Sequence, residues 1–451
     1  MAMPGLRCPS PQDAGAGENA VLRNGLKWVG ISILSLVVAV AVLWAASRFW
    51  PLPAEQREAM RLLQAPLPMR GENGFTALWT LRYDGLEDAG REAVLAQDVQ
   101  RWRTGTPGQR PVSSSAEGRY PAAPLSAFAG CGRRGIGCLA AVRADPDGVE
   151  AAHAGHEALH QRVAALAGYG HFTSPFKPFD TDPMVPLPVF QPVLDPLSAH
   201  ALAHVRGDSG TAVAGACADI LSGRAMTGQG DTLITSMIGA AMVESNARLL
   251  ADILVELPAD TALPAVCDAA LAPMTADEQS LCTAMRGEFG LAGAGLRLTS
   301  GNPAAQHLLL DVPRTQARMA PRYAWACAAS AELVAARDAP TPIPGPAQDR
   351  FACIANPLGC ALANITGPDM RQYAGRPQDA AAMLRLVSAQ RWLRQQPSAA
   401  SVALQSLPEA LRSPTRIPVL SEEDHWLQVE RRAVTSDIEP TPQVPMRAPA
   451  H

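Results

Sequence analysis

Apolar positions along the chain fall into three patterns, and each predicts a different kind of element. The first is an unbroken run over 28–46, 19 positions without a charged residue. At about 1.5 Å per residue a helix of that length covers roughly the 30 Å hydrocarbon core of a bilayer. The run is therefore expected to be a transmembrane anchor. The second pattern, apolar residues at helical spacing, predicts helices over 54–64, 73–82, 91–103, 145–167, 211–221, 231–257, 261–271, 276–289, 316–337, 367–396 and 401–412. In the segment 231–257 the stripe is Ile234, Ile238, Met242, Leu249 and Ile253, opened by Asp231-Thr232. The third pattern lies between His171 and Pro196, where Pro175, Pro178, Pro183, Pro186, Pro188, Pro192 and Pro196 interleave with Phe172, Phe176, Phe179 and Phe190. Prolines at that density exclude a helix or a central strand, so an extended strap packed across the helices is expected, with a partner-docking surface as the alternative.

These elements predict a mainly α protein: an N-terminal transmembrane helix followed by an irregular bundle or solenoid-like domain. The division expected is 1–27 as a disordered cytoplasmic tail, 28–46 as the span, 47–434 as the helical exported domain with a break near 171–196, and 435–451 as a disordered proline-rich tail. The segment 104–124, dense in Gly, Pro and Ser, is expected to be a loop. Abundant alanine and only 5% aromatic residues agree with helices rather than a β-sandwich or barrel. No period of roughly 34 residues emerges, so no named helical repeat is supported.

Arg23 and Lys27 before the run, and Ala45-Ala46-Ser47 at its end, would also suit a cleaved signal peptide. The run is longer than the roughly 7 to 15 apolar residues of a signal sequence, and Trp28, Trp44, Phe49 and Trp50 bracket it as interfacial anchors do. Charge does not orient the span, since Arg7, Arg23 and Lys27 on one side face Arg48, Arg57 and Arg61 on the other. Cysteine usage is more informative. Cys8 precedes the span, whereas Cys131, Cys138, Cys217, Cys267, Cys282, Cys327, Cys353 and Cys360 follow it, an even set that an oxidising compartment could pair completely. Eight cysteines allow 105 connectivities. The similar segments ending in Cys131–Cys138 and Cys353–Cys360 suggest two local loops, and Cys267 with Cys282 suggests a bridge across a helical hairpin. Structural zinc would want Cys-x2-4-Cys pairs, which are absent. The expected place is a bacterial inner membrane, single-pass, with the C-terminal domain in the periplasm. A formal net charge of -4 gives no reason to expect nucleic acid as a partner.

One motif carries chemistry. Asp145-Pro146 is a helix start, and downstream stand His153, His156, Glu157 and His160. His156-Glu157-Ala-Leu-His160 matches the zincin pattern, in which histidines at i and i+4 ligate zinc and the glutamate activates a metal-bound water as general base. The metzincin continuation fails, because Val163 and Leu166 stand where a glycine and a third histidine belong. A third ligand could be His171, Asp180 or Asp182, of which Asp180 is the one expected. The competing expectation is a core helix: Val149, Ala152, His156, Leu159, Val163 and Leu166 form one apolar stripe, with His156 on its edge and His153 and His160 beside it.

Gly207-Asp208-Ser209-Gly210 resembles the nucleophile tetrapeptide of chymotrypsin-like serine proteases, but the alanine-rich surroundings predict a helix-capping turn near Thr211 instead. No phosphate-binding glycine loop, Gly-x-Ser-x-Gly elbow or Cys-x-x-Cys pair occurs.

The span, together with Cys138-Leu-Ala-Ala-Val-Arg-Ala-Asp145, Asp231-Thr-Leu-Ile234 and Asn356-Pro-Leu-Gly359, resembles uncharacterised bacterial membrane-anchored, largely helical proteins. That resemblance implies no activity and no cofactor. The function expected is an interaction or scaffolding role in the envelope, with the bilayer as partner through 28–46 and an envelope protein as a second partner. The alternative is a membrane-tethered zinc hydrolase using His156, Glu157 and His160.

Overall fold

The computed structural model describes residues 12–67, 69–123, 131–132, 135–179, 184–298, 308–345, 347, 349–365, 370–421, 425–433 and 441–447. It is mainly helical, as the apolar spacing predicts. The first helix, α1 (Gln12–Arg48), contains the stretch Arg23–Arg48, which is long and apolar enough to cross a membrane and has no part of its apolar window buried against protein. The helix begins earlier than expected.

The following helices are α2 (Ala54–Gln64), α3 (Phe75–Trp79), α4 (Asp88–Thr104), α5 (Cys138–Ala144), α6 (Pro146–His153), α7 (Glu157–Ala165), α8 (Pro196–Val205), α9 (Ser209–Gln229) and α10 (Leu233–Glu256). The core forms where α9, α10 and the helix Met370–Arg394 meet. Thr232 caps α10 by accepting the Thr235 N–H at 3.2 Å, and Met242, Leu249, Leu250 and Ile253 are fully buried beneath. The α9–α10 crossing depends on Gly223 and Gly239. A Cβ at Gly239 would stand 2.5 Å from the Thr227 nitrogen, and one at Gly223 would stand 2.8 Å from the Gly239 carbonyl oxygen. Only hydrogen at both positions lets the two backbones approach this closely.

Where it is described, the strap packs against the helices as its Pro/Phe alternation predicts. Phe172 accepts from the Asp231 N–H and donates to the Gln229 carbonyl, closing an extended bridge onto the end of α9. Phe176 packs with Phe75, Trp79 and Trp102 in a separate aromatic cluster.

Four disulfides cross-link the domain: Cys131–Cys138, Cys217–Cys267, Cys282–Cys327 and Cys353–Cys360. The two local loops agree with expectation. The expected Cys267–Cys282 bridge is not made, because the segment meant to form a hairpin breaks into Val266–Ala270, Ala276–Gln279 and Cys282–Leu298. The first piece packs on α9 beside Cys217, whereas the last lies against the turn carrying Cys327. Cys8 is outside the described residues.

Within the C-terminal tail, the described residues 441–447 depart from the expected disorder. Gln443–Pro445 (β3) pairs antiparallel with Trp426–Gln428 (β2), which pairs with Val419–Leu420 (β1). Val444 is completely buried against the core, and the Gln390 amide donates to the Pro445 carbonyl. Apolar burial at Val444 outweighs the low strand propensity of a proline-rich segment.

Candidate metal centre

The expected continuous helix over 145–167 is two helices. Asp145 caps α6 by accepting the Gly148 N–H at 3.0 Å, and Pro146 occupies the first helical position. The chain then turns at Ala154-Gly155, with Gly155 at φ 82°, and α7 restarts with His156 as its N-cap residue. Glycine reaches that left-handed conformation without the cost a side chain would impose. Val149, Leu159, Val163 and Leu166 are buried as the apolar stripe predicts. The break leaves His153 at the end of one helix and His156 and His160 at the start of the next, all turned to one side.

What they turn toward is Asp195. His156 Nδ1 and His160 Nε2 each lie 3.0 Å from Asp195 Oδ2, and His153 Nδ1 lies 3.3 Å from the same oxygen. Beyond that contact, the buried His153 Nδ1 atom has no hydrogen-bond partner among the described residues. Its other nitrogen is 2.7 Å from Ser198 Oγ, which fixes the ring. One potential ligand atom from each of the four residues lies within 4.8 Å of every other. Tetrahedral zinc with ligands at about 2.0–2.1 Å places donor atoms roughly 3.3 Å apart, so the three nitrogen–oxygen separations already approximate edges of such a tetrahedron. Burial raises the Asp195 pKa, but the polar contacts of His153, His160 and His156 outweigh it and hold the carboxyl well below the usual range. Asp195 is therefore an anion presented to three imidazoles, a donor set suited to a divalent transition metal.

The expected members of the site fare differently. His156 and His160 come together as the i, i+4 spacing predicts. Glu157 is exposed in the first turn of α7. Asp180 and Asp182 are outside the described residues, and His171 lies elsewhere, with Nδ1 3.1 Å from the Arg70 carbonyl oxygen. Asp195 was not legible as a ligand, yet Asp195-Pro196 carries a signal. It repeats the Asp-Pro helix start of Asp145-Pro146, but its side chain caps nothing in α8 and is left available to the histidines.

Other titratable groups form a second chain of contacts. Ser209 Oγ lies 2.8 Å from His204 Nδ1, and His204 Nε2 lies 3.0 Å from Glu256 Oε2. Arg143 pairs with that same carboxylate oxygen. Asp208 caps α9 by accepting the Thr211 N–H, so the Gly-Asp-Ser-Gly segment is a capping turn. Nearby, a cavity of about 540 Å³ lies between α5, α10 and the β2–β3 hairpin.

Asp252 lines this cavity, with no hydrogen-bond partner among the described residues, and burial pushes its pKa up to about 7. An acid whose folded pKa exceeds its unfolded value binds more protons when folded, so stability falls as pH rises from about 4 toward 7. Asp252→Asn is expected to stabilise the protein by about 1–2 kcal/mol at pH 8 and by nothing measurable at pH 4. Urea midpoints at the two pH values check this, and equal effects at both would refute it.

No family model matches the chain, and no curated protein or solved structure matches it.

Proposed function

We propose that the protein is a single-pass inner-membrane protein with its helical domain in the periplasm, and that this domain holds one zinc-class ion through His153, His156, His160 and Asp195. The observation that carries the metal reading is the gathering of three imidazole nitrogens around one partly buried carboxylate oxygen. The four disulfides fit an oxidising compartment and support export. Four protein donors fill a tetrahedral set, the pattern of structural zinc sites, whereas hydrolytic sites keep one position open for water. Exposed Glu157 also sits outside the ring of donors. The ion would tie α6, α7 and α8 together and fix a surface for an envelope partner. Function as an interaction module follows from this reading better than peptide hydrolysis does.

The test is elemental analysis of the full chain, purified in detergent without chelator, beside His160→Ala and Asp195→Asn. Wild type is expected to carry near-stoichiometric zinc, and both variants to lose most of it. Cobalt substitution should give the intense visible absorption of tetrahedral coordination. Folded wild-type protein that stays metal-free after zinc exposure would refute the site. A Glu157→Gln variant is expected to bind zinc as wild type does. Zinc-dependent peptide cleavage lost in that variant would instead favour the hydrolase.

A further inference from the structure

The end of α1 is not a free tether. Ser47 is completely buried, donating to the Phe351 carbonyl at 2.8 Å and accepting the Ala355 N–H at 3.1 Å. Arg48 pairs with Asp311 at 3.1 Å, and Arg314 donates to the Trp50 carbonyl at 2.7 Å. Trp50 packs edge-on to Phe351, with ring centroids 5.1 Å apart. One turn further into the apolar stretch, Trp44 Nε1 donates to the Leu308 carbonyl at 3.2 Å. The domain is thus clamped to the last turn of the span, and residue 308 lies beside a position within the apolar helix.

Around this clamp large apolar side chains point to solvent: Phe49 is 82% exposed, Leu308 58% and Trp50 50%, with Leu309, Ile354 and Leu358 also exposed. Ile354 neighbours Ala355, which holds Ser47, and Leu358 follows one turn later in the helix Pro357–Ile365. Single exposed apolar residues need no explanation, but six gathered where a span leaves the bilayer are positioned to bury in it. Aromatic residues at this level, Trp44, Phe49 and Trp50, match the side chains that favour the headgroup region. The geometry points to a membrane-seated face: Leu308, Leu309, Ile354 and Leu358 insert into the leaflet beside the span, holding the domain against the bilayer. The inference rests on reading 23–48 as a span. The clamp supplies the argument for lipid as occupant, because Leu308 is fixed at the depth of Trp44.

The experiment places a benzophenone-bearing amino acid at one position at a time in the full chain, reconstituted in phosphatidylcholine–phosphatidylglycerol vesicles. The positions are Leu309 and Leu358 on the face, Leu36 in the middle of the span, and Val402 on the short helix Ala400–Ala403, which packs against Met370–Arg394. Irradiation is expected to give lipid adducts at Leu36, Leu309 and Leu358, each several-fold above Val402. Labelling at Leu36 with Leu309 and Leu358 no higher than Val402 would overturn this inference and leave the span standing. No labelling at Leu36 would overturn the span reading itself. A cross-link between two copies at Leu309 would assign the face to self-association and overturn lipid seating.

Discussion

Replacing Arg416 by alanine is expected to destabilise the domain by about 3–5 kcal/mol, the cost of leaving buried charge unpaired. The Arg416 side chain has no exposed surface. Its Nε donates to Asp338 Oδ2 at 2.9 Å, Nη2 donates to Asp338 Oδ1 at 2.5 Å, and Nη1 donates to Asp379 Oδ1 at 2.7 Å. Nη2 also reaches the Gln378 carbonyl and Nη1 the Glu430 carbonyl, so one guanidinium joins the helix Met370–Arg394 to chain segments on both sides of the β-hairpin. Without it Asp379, whose pKa burial already raises despite hydrogen bonds from Ala433, Arg416 and Arg432, keeps only backbone donors and the distant edge of Arg431. Lysine at 416 would retain the charge but not the planar fork, and should recover only part of the loss. Urea unfolding of Arg416→Ala, Arg416→Lys and the combined Arg416→Met, Asp338→Asn, Asp379→Asn variant checks this. The combined variant is expected to recover part of the Arg416→Ala loss, because it removes two buried carboxylates along with Arg416, and only part, because Arg385 then loses its Asp338 partner. A loss below about 1 kcal/mol for Arg416→Ala would show that the network contributes no more than a surface pair.

The same network shows where sequence stops being informative. Helix α10 was legible because a Thr cap and a stripe at helical spacing coincide in one continuous segment, so local and tertiary preferences agree. α6 and α7 were merged because Gly155 costs a helix only about 1 kcal/mol, too little to mark a break when periodicity continues through it. The pairing of β3 with β2 was hidden by proline content, since the compensating burial of Val444 comes from residues far away in the chain. The metal candidate divides in the same way. His156 and His160 share a face by spacing alone, and His153 joins them at i-3, but Asp195 reaches them only after the chain has crossed the proline strap. No local pattern encodes that return.

Removing the Cys217–Cys267 disulfide by Cys217→Ala with Cys267→Ala is expected to lower stability by about 4 kcal/mol, from the loop-closure entropy of a 50-residue separation. Removing Cys353–Cys360, which spans a separation of 7, should cost roughly half as much on the same scale. Both sulfurs of the long bridge are buried, where α9 packs on the segment Val266–Ala270. Alanine leaves only a small void there, so most of the effect belongs to the unfolded chain. Urea midpoints of the two double variants, measured without reductant, test the ratio; equal losses would mean that native packing around the sulfurs decides, and not chain entropy. Added reductant should then bring wild type down at least as far as the Cys217/Cys267 variant while leaving that variant less affected. This ties stability to compartment. In a reducing cytosol the long bridges would open and the α9 core would lose constraints that its alanine-rich packing replaces poorly, whereas an exported domain keeps them.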